Sequence, residues 1–390
     1  MNKIYSILAA LAIMLSLGSC NKSTPNEQIN TDSTQSLVTN QLARGINLSN
    51  WFNDFSDKTQ FSNRFNNNHF NQIKSAGFTY IRLPIGPSVL SGPNNIADIQ
   101  PANLALVNQA VQQILNSGLA VVIEMHAFGP NFEARLAIDP LARSSFRQFW
   151  KNLANQFKQY DTSKLFFEIW NEPHIGASQL VAGIDKNWWA PFQEQIIQSI
   201  REATPNHFII ATAENFSNWF DLIQLTPSTQ KNIIYTFHLY DPFTFTHQSA
   251  DWLGLPYSGI RFLPYPGNAQ NVATLAANAT LAAVKNQIEF YGRQQFGADS
   301  LNKIIQQVYN WSIQKKVTVI CNEFGVHKKF APPDSRLRFL SDAKTMLEKY
   351  KIPWAIWDYD DSFGLTSYTS AVRTGIPVWD DGVLNALGLK

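Results

Sequence analysis

The chain holds only two cysteines, Cys20 and Cys321, among 390 residues, so no disulfide framework can hold it together. A domain of this size buries most of the surface its unfolded chain exposes, and its stability must come from that core. Charge is also scarce: Asp, Glu, Lys and Arg make up 15% of the chain and net to +2. That balance gives no reason to expect nucleic acid or an acidic membrane as a partner. No G-x-G-x-x-G follows the first strand-like run, which argues against a doubly wound dinucleotide fold. H-E-x-x-H and paired-cysteine motifs are missing, and Asp358, Asp360 and Asp361 crowd together without the spaced ligands and glycine of a calcium loop. Neither a metal nor a cofactor is expected. Residues 41–390 contain no low-complexity linker and no repeat, so a single domain is the simplest organisation.

Long apolar runs are missing as well. The stretch from Ile4 to Leu17, behind Lys3, is too short to span a bilayer comfortably and reads as a signal peptide. It ends in Leu17-Gly18-Ser19-Cys20, similar to the bacterial lipobox, in which cleavage leaves the cysteine as an acylated first residue. The alternative is an ordinary signal peptide that contains a cysteine. Residues 21–40 are polar and rich in Ser, Thr and Asn, as a tether would be. The chain is thus expected to be exported and lipid-anchored to a bacterial membrane. Asn21 rather than Asp after the cysteine points to the outer membrane in a Gram-negative host.

Aromatic residues are plentiful, with 11 Trp. Flat rings cover the hydrophobic faces of sugars, although any one of them could equally fill a large core. Eight short apolar runs follow in order, at residues 44–50, 80–86, 120–128, 165–173, 207–215, 232–242, 317–325 and 353–361. Helical periodicity fills the gaps, as at Val107, Val111 and Ile114, at Phe146, Trp150 and Leu153, and at Leu301, Ile305 and Val308. Gly77 and Gly118 stand where two of these helices should stop. Eight strands alternating with helices predict a closed (β/α)8 TIM barrel over residues 41–390. Nearly every run carries its polar residues at its C-terminal end, where barrel enzymes build active sites.

Two strand ends stand out: Trp170-Asn171-Glu172-Pro173 on the fourth and Cys321-Asn322-Glu323-Phe324-Gly325 on the seventh. In a barrel these ends lie on roughly opposite sides of the mouth, so two carboxylates could flank one scissile bond, as glycoside hydrolysis with retention requires. Arg82 sits inside an apolar strand, which is costly unless a carboxylate pairs with it. That partner could be Glu323 or, in a purely structural ion pair, Glu168. His126 and His238 end the third and sixth strands. The aromatic and proline-rich stretch 241–267 is long for a loop and reads as a wall of a cleft or as a structural flap.

In order, RGINLSNW, YIRLPIG, VVIEMHAF, FFEIWNEP, HLYDPFTFTHQ, ICNEFG and AIWDYDDSFG resemble the motifs of glycoside hydrolase family five across residues 41–390. The resemblance implies Glu172 as general acid/base and Glu323 as nucleophile. It implies Asn171 at the 2-hydroxyl of the sugar and Arg82 beside the nucleophile, keeping it ionised. His126, His238 and Tyr240 would orient the glutamates and the sugar, and Trp357 would be a platform beneath it. Trp51, Trp170, Trp219, Trp252 and Tyr257 are further subsite candidates, with Trp170 equally readable as core. The implied activity is an endo-β-1,4-glucanase acting on a β-glucan polysaccharide or oligosaccharide, as a monomer. Mannan, xyloglucan or mixed-linkage glucan would use the same pair, and a glycan-binding lipoprotein without catalysis is the reading from another class.

Overall fold

The structure, a computed structural model, describes residues 36–53, 56–92, 95–126, 130–175, 187–370 and 373–390. The expected signal peptide, Cys20 and most of the expected tether lie outside these residues. The eight anticipated strands form, each a little shorter than its apolar run: β1 (Arg44–Asn47), β2 (Tyr80–Ile85), β3 (Ala120–Met125), β4 (Leu165–Glu168), β5 (Phe208–Thr212), β6 (Ile233–Leu239), β7 (Thr318–Phe324) and β8 (Trp354–Ile356). Every neighbouring pair is parallel and β8 closes on β1, a (β/α)8 barrel.

The helices form where the periodicity places them. Pro101–Asn116 turns Val107, Val111 and Ile114 inward, and Pro140–Phe157, started by the Asp139 cap and Pro140, turns in Phe146, Trp150 and Leu153. Gly77 and Gly118 hold φ of 100° and 80°, the left-handed turns that send the chain into β2 and β3. The crossover from β6 to β7 is larger than expected. Residues 241–267 hold short helical turns at Phe243–Thr246, Asp251–Leu253 and Tyr257–Gly259, and the helices Ala269–Asn278 and Ala282–Gln294 precede the crossover helix Ala298–Lys315. Each of those two helices contributes only two to four buried residues, too narrow an apolar stripe to stand out in the sequence.

Two apolar cores result. The larger lies between strands and helices; the smaller fills the lower half of the barrel with Tyr80, Val122, Phe166, Ile210, Ile234 and Ile320, plugged from below by Val38 and Leu42. Tyr80 needs room there. A Cβ at Gly45 would lie 2.2 Å from its ring, and the Tyr80 hydroxyl donates to Asn322 Oδ1 at 3.0 Å. Gly45→Ala should therefore lower the free energy of unfolding in urea by about 2 kcal/mol or more, and trimming the ring with Tyr80→Leu in the same chain should recover part of that loss. Equal unfolding midpoints for Gly45→Ala and the parent would contradict this packing.

Candidate active site

Above the apolar half, the barrel interior turns ionic. Strict alternation on β2 points Tyr80 and Arg82 to the axis, and the register sets Arg82 beside Asn47 of β1 and Val122 of β3. Arg82 is fully buried and every arm of its guanidinium is engaged. Nε and Nη2 grip Glu168 at 2.9 and 2.8 Å, the bidentate geometry that a planar fork favours. Nη1 donates to Asn47 Oδ1 at 3.0 Å and to Glu323 Oε1 at 2.5 Å. Nη2 also reaches Asn171 Oδ1 at 2.9 Å and lies 3.5 Å from Glu124. The two partners that the sequence left open are both present: Glu168 and Glu323 share one cation.

Glu323 faces the axis because β7 breaks its alternation. The register against β6 slips between Phe237 and His238, so that Phe237 pairs with Cys321 but His238 pairs with Glu323. Such a bulge re-aims a side chain. Asn322 and Glu323 consequently both turn inward, Asn322 donating to Glu168 Oε2 at 2.6 Å. On the other side of the mouth β4 ends at Glu168, and beyond it the period of two fails again. Glu168 and Asn171 reach Arg82, whereas Trp170 faces outward, stacked on Phe132 with its indole N–H donating to Glu133 at 3.0 Å.

Glu172 and Glu323 meet across His238. Its Nδ1 is 2.7 Å from Glu172 Oε1 and 3.5 Å from Glu323 Oε2, and one ligand atom of each of the three residues lies within 4.8 Å of the others. The two acids differ in surroundings. The Glu323 side chain is 5% exposed and accepts from the permanent cation Arg82 and from the Tyr240 hydroxyl at 2.9 Å. The Glu172 side chain is 26% exposed and touches no such cation. Burial pushes Glu172 up to about 7, against the pull of His126, Arg82 and His174. Burial also raises Glu323, opposed by His238 and Arg82. Two donors on Glu323 favour its charged form, and Glu172 has no such cation beside it, so the geometry favours a proton on Glu172 over one on Glu323. His238 and His126 are each lowered by burial to about 4, so both are neutral at working pH. Burial holds Glu124 at about 8, which keeps it protonated beside His126 Nδ1 at 2.8 Å. Arg82 therefore balances two carboxylates, not three.

The remaining expected residues divide. His126 lies 3.5 Å from the Asn171 amide and stacks on Trp357, ring centroids 5.4 Å apart at 11°. Trp357 is partly exposed at the end of β8. Gly325 leaves room for it, since a Cβ there would come within 2.3 Å of the Trp357 carbonyl oxygen. Trp51 does not line the mouth: it is 2% exposed, packs on Phe52, Phe65 and Phe70, and donates its indole N–H to Phe61 O. A ring with no open face cannot carry a sugar, so Trp51 is core. Trp170 is core as well, at 1% exposure. Trp252 stays 59% exposed, edge-on to His327.

Several participants were not singled out from the sequence. Asn47, Glu124 and Asn322 complete the ionic cluster; an acidic residue two positions before His126 on an otherwise apolar strand was the available signal for Glu124. Ser217, fully buried, donates to the Asn171 carbonyl at 2.5 Å. It belongs to three consecutive residues, Asn215, Phe216 and Ser217, with φ between 54° and 65°, a left-handed run that sequence patterns do not announce. Glu133, which burial raises to about 8, sits behind Trp170 and His174.

A sequence model of the cellulases, glycosyl hydrolase family 5, matches residues 30–362. Endoglucanase 3 of Fibrobacter succinogenes is 26% identical over 352 residues, covering 86% of this chain and 52% of that protein, so the chain spans about half that relative's length. Endoglucanase C of Acetivibrio thermocellus is 25% identical over 322 residues, covering 81% of this chain and 90% of its own. Among solved structures, the cellulose synthase subunit Z of Clostridioides difficile superposes with a TM-score of 0.69 at 26% identity, over 89% of this chain and 99% of that one. Thermotoga maritima Cel5A in complex with mannotriose does so with a TM-score of 0.67 at 26% identity, over 92% and 99%. The chain belongs to glycosyl hydrolase family 5, the cellulase family, and is a glycoside hydrolase.

Proposed function

We propose that the enzyme hydrolyses internal β-1,4 bonds of a glucan with retention of configuration. Glu323 is the nucleophile and Glu172 the acid/base. The observation that carries this reading is the approach of the two carboxyls, within 4.8 Å between their facing oxygens. Retention needs carboxyls about 5 to 5.5 Å apart, whereas inversion needs about 6.5 to 9.5 Å to seat a water. In the first step Glu323 attacks the anomeric carbon, the bond to the leaving oxygen breaks, and Glu172 gives that oxygen its proton. In the second step water attacks the same carbon, its proton passes to Glu172, and the bond to Glu323 breaks. Asn171, held by Arg82 and Ser217, presents its amide to the 2-hydroxyl, and Trp357 lies beneath the ring.

Glucan as substrate is supported by relatives named endoglucanase; mannan is the second reading because Cel5A is described with a mannotriose substrate. Xyloglucan and mixed-linkage glucan would need only different cleft contacts. Sizing the products from a panel of these polysaccharides tests the assignment. Rapid cutting of mannan with carboxymethylcellulose and β-glucan untouched would overturn the glucan reading and leave the mechanism standing. Loss of catalysis altogether would favour a glycan-binding role.

The proton assignment also sets a pH profile. Glu172 works only while protonated, so kcat/KM should fall above about pH 7. Glu323 works only while ionised, so activity should fall again on the acid side. An alkaline limb starting above pH 9 on a soluble glucan would remove Glu172 from the role of acid.

Export and lipidation at Cys20 remain part of this reading. Cys20→Ser should release the enzyme from salt-washed membranes, and retention there would count against the lipobox.

A further inference from the structure

A net charge of +2 conceals how the fold distributes charge. At the N-terminal ends of the strands, opposite the mouth, a depression of about 1100 Å³ opens beside the segment at residues 36–41 that plugs the barrel. Leu37 lines it together with Lys231, Lys315, Lys316, Lys349 and Lys351, and no Asp or Glu is among its lining residues. All five lysines are exposed. Among the described residues none of them forms an ion pair. Lys349 donates to Asn302 and lies over the Tyr350 ring. Glu348, next in sequence, is already engaged by Arg44 and Lys344.

Helix C-termini favour cations, which accounts for Lys315 and Lys349 in the last turns of their helices. Lys316 and Lys351 are different. They hold φ of 54° and 55°, in turns like those where Gly77 and Gly118 enter β2 and β3. Glycine fits such a turn without strain and lysine does not, so the lysines bring something other than backbone geometry. What they share is a face.

That face is also where the chain arrives from its N-terminus. The fifteen or so residues between Cys20 and the plug span at most ~50 Å even when fully extended. We infer that the N-terminal face of the barrel docks on anionic lipid headgroups, with the lysines against the bilayer and the catalytic mouth turned away toward polymer. The orientation rests on the lipid-anchor reading given above; the headgroup contact does not. Lysines within a Debye length of an anionic surface are attracted to it, by roughly fivefold in partitioning for each.

The test uses the chain carrying Cys20→Ser, which removes acyl chains and leaves the face intact. It should sediment with vesicles of phosphatidylglycerol and phosphatidylcholine at about 0.1 M salt and not with phosphatidylcholine alone. Adding Lys231→Gln, Lys315→Gln, Lys316→Gln and Lys351→Gln should reduce that binding by roughly tenfold or more, with hydrolysis of a soluble substrate unchanged. Four charges removed elsewhere, with Lys58→Gln, Arg135→Gln, Lys285→Gln and Arg293→Gln, should cost far less. Equal loss in both sets, no preference for anionic vesicles, or lysine-dependent binding to a soluble polyanion but not to vesicles would overturn the docking surface. The mass of the N-terminal peptide from the unmodified chain judges the anchor separately. An acylated Cys20 without anionic preference leaves the anchor and removes the surface; an unmodified cysteine with lysine-dependent vesicle binding does the reverse.

Discussion

Glu323→Ala is expected to lower turnover by roughly five orders of magnitude on every substrate, because it removes the group that forms the covalent bond to the anomeric carbon. Glu172→Ala should behave differently. Loss of general acid catalysis costs about 10²- to 10⁴-fold where the leaving group needs a proton, and much less for an activated aryl glycoside. With such a substrate the first step survives, while the second lacks a base to take the proton of water. Glycosyl-enzyme should then accumulate after a burst. Azide needs no deprotonation, so it should accelerate Glu172→Ala and yield the β-glycosyl azide, the product of two inversions. Any azide rescue of Glu323→Ala should yield the inverted α-azide. The environments on either side of His238 support this division, since Arg82 and Tyr240 both donate to Glu323 and neither contacts Glu172. Exchange of the two azide products between the variants would mean that the roles are reversed.

The barrel was legible because its strands are bounded and alternate with amphipathic helices, and the polar ends of those strands pointed to the mouth. Glu172, Glu323, Arg82, His126 and His238 could be named because each stands at a strand end or is an ionisable residue in an apolar run, and Tyr240 through the family resemblance. What alternation could not supply was direction at the very ends. It would put Glu168, Trp170 and Glu172 on one side of β4, yet Trp170 packs outward against Phe132 and Phe146 while Glu168 grips Arg82. On β7 it would send Asn322 and Glu323 to opposite sides, and the bulge opposite Phe237 and His238 brings both inward. Period two belongs to regular strands, and active sites here begin where regularity stops. Trp51 was misread for a related reason: a tryptophan after the first strand is as suited to a cap of aromatic rings as to a sugar, and four neighbouring phenylalanines, Phe52, Phe61, Phe65 and Phe70, decide for the former.

Arg82→Met should combine the loss of activity with a loss of stability that the glutamate variants do not share. The substitution keeps a long apolar stem in the barrel but removes the charge that Glu168 and Glu323 share. Breaking one side of a buried ion pair costs about 3–5 kcal/mol, because the surviving charge has neither water nor partner. Glu168 has no route to solvent at 0% exposure, so its carboxyl must take up a proton, and Asn322 is the donor left to it. The melting temperature should fall by several degrees, and the fall should deepen as pH rises: a buried acid whose folded pKa has moved up binds its proton most firmly below the unfolded value, and the stability this provides is lost as pH climbs through the folded pKa. Adding Glu168→Gln removes the orphaned charge at its source. The double variant should therefore recover much of the lost stability, an interaction energy of roughly 1–3 kcal/mol in a double-mutant cycle, while remaining inactive, since the cation that favours the charged form of Glu323 and anchors the Asn171 side chain is gone. Melting curves of the four proteins at pH 6 and pH 8, read beside their turnover, separate the two effects. Additive losses of stability would mean that Arg82 and Glu168 do not act as a pair, and recovery of activity with stability would mean that Arg82 only supports the barrel.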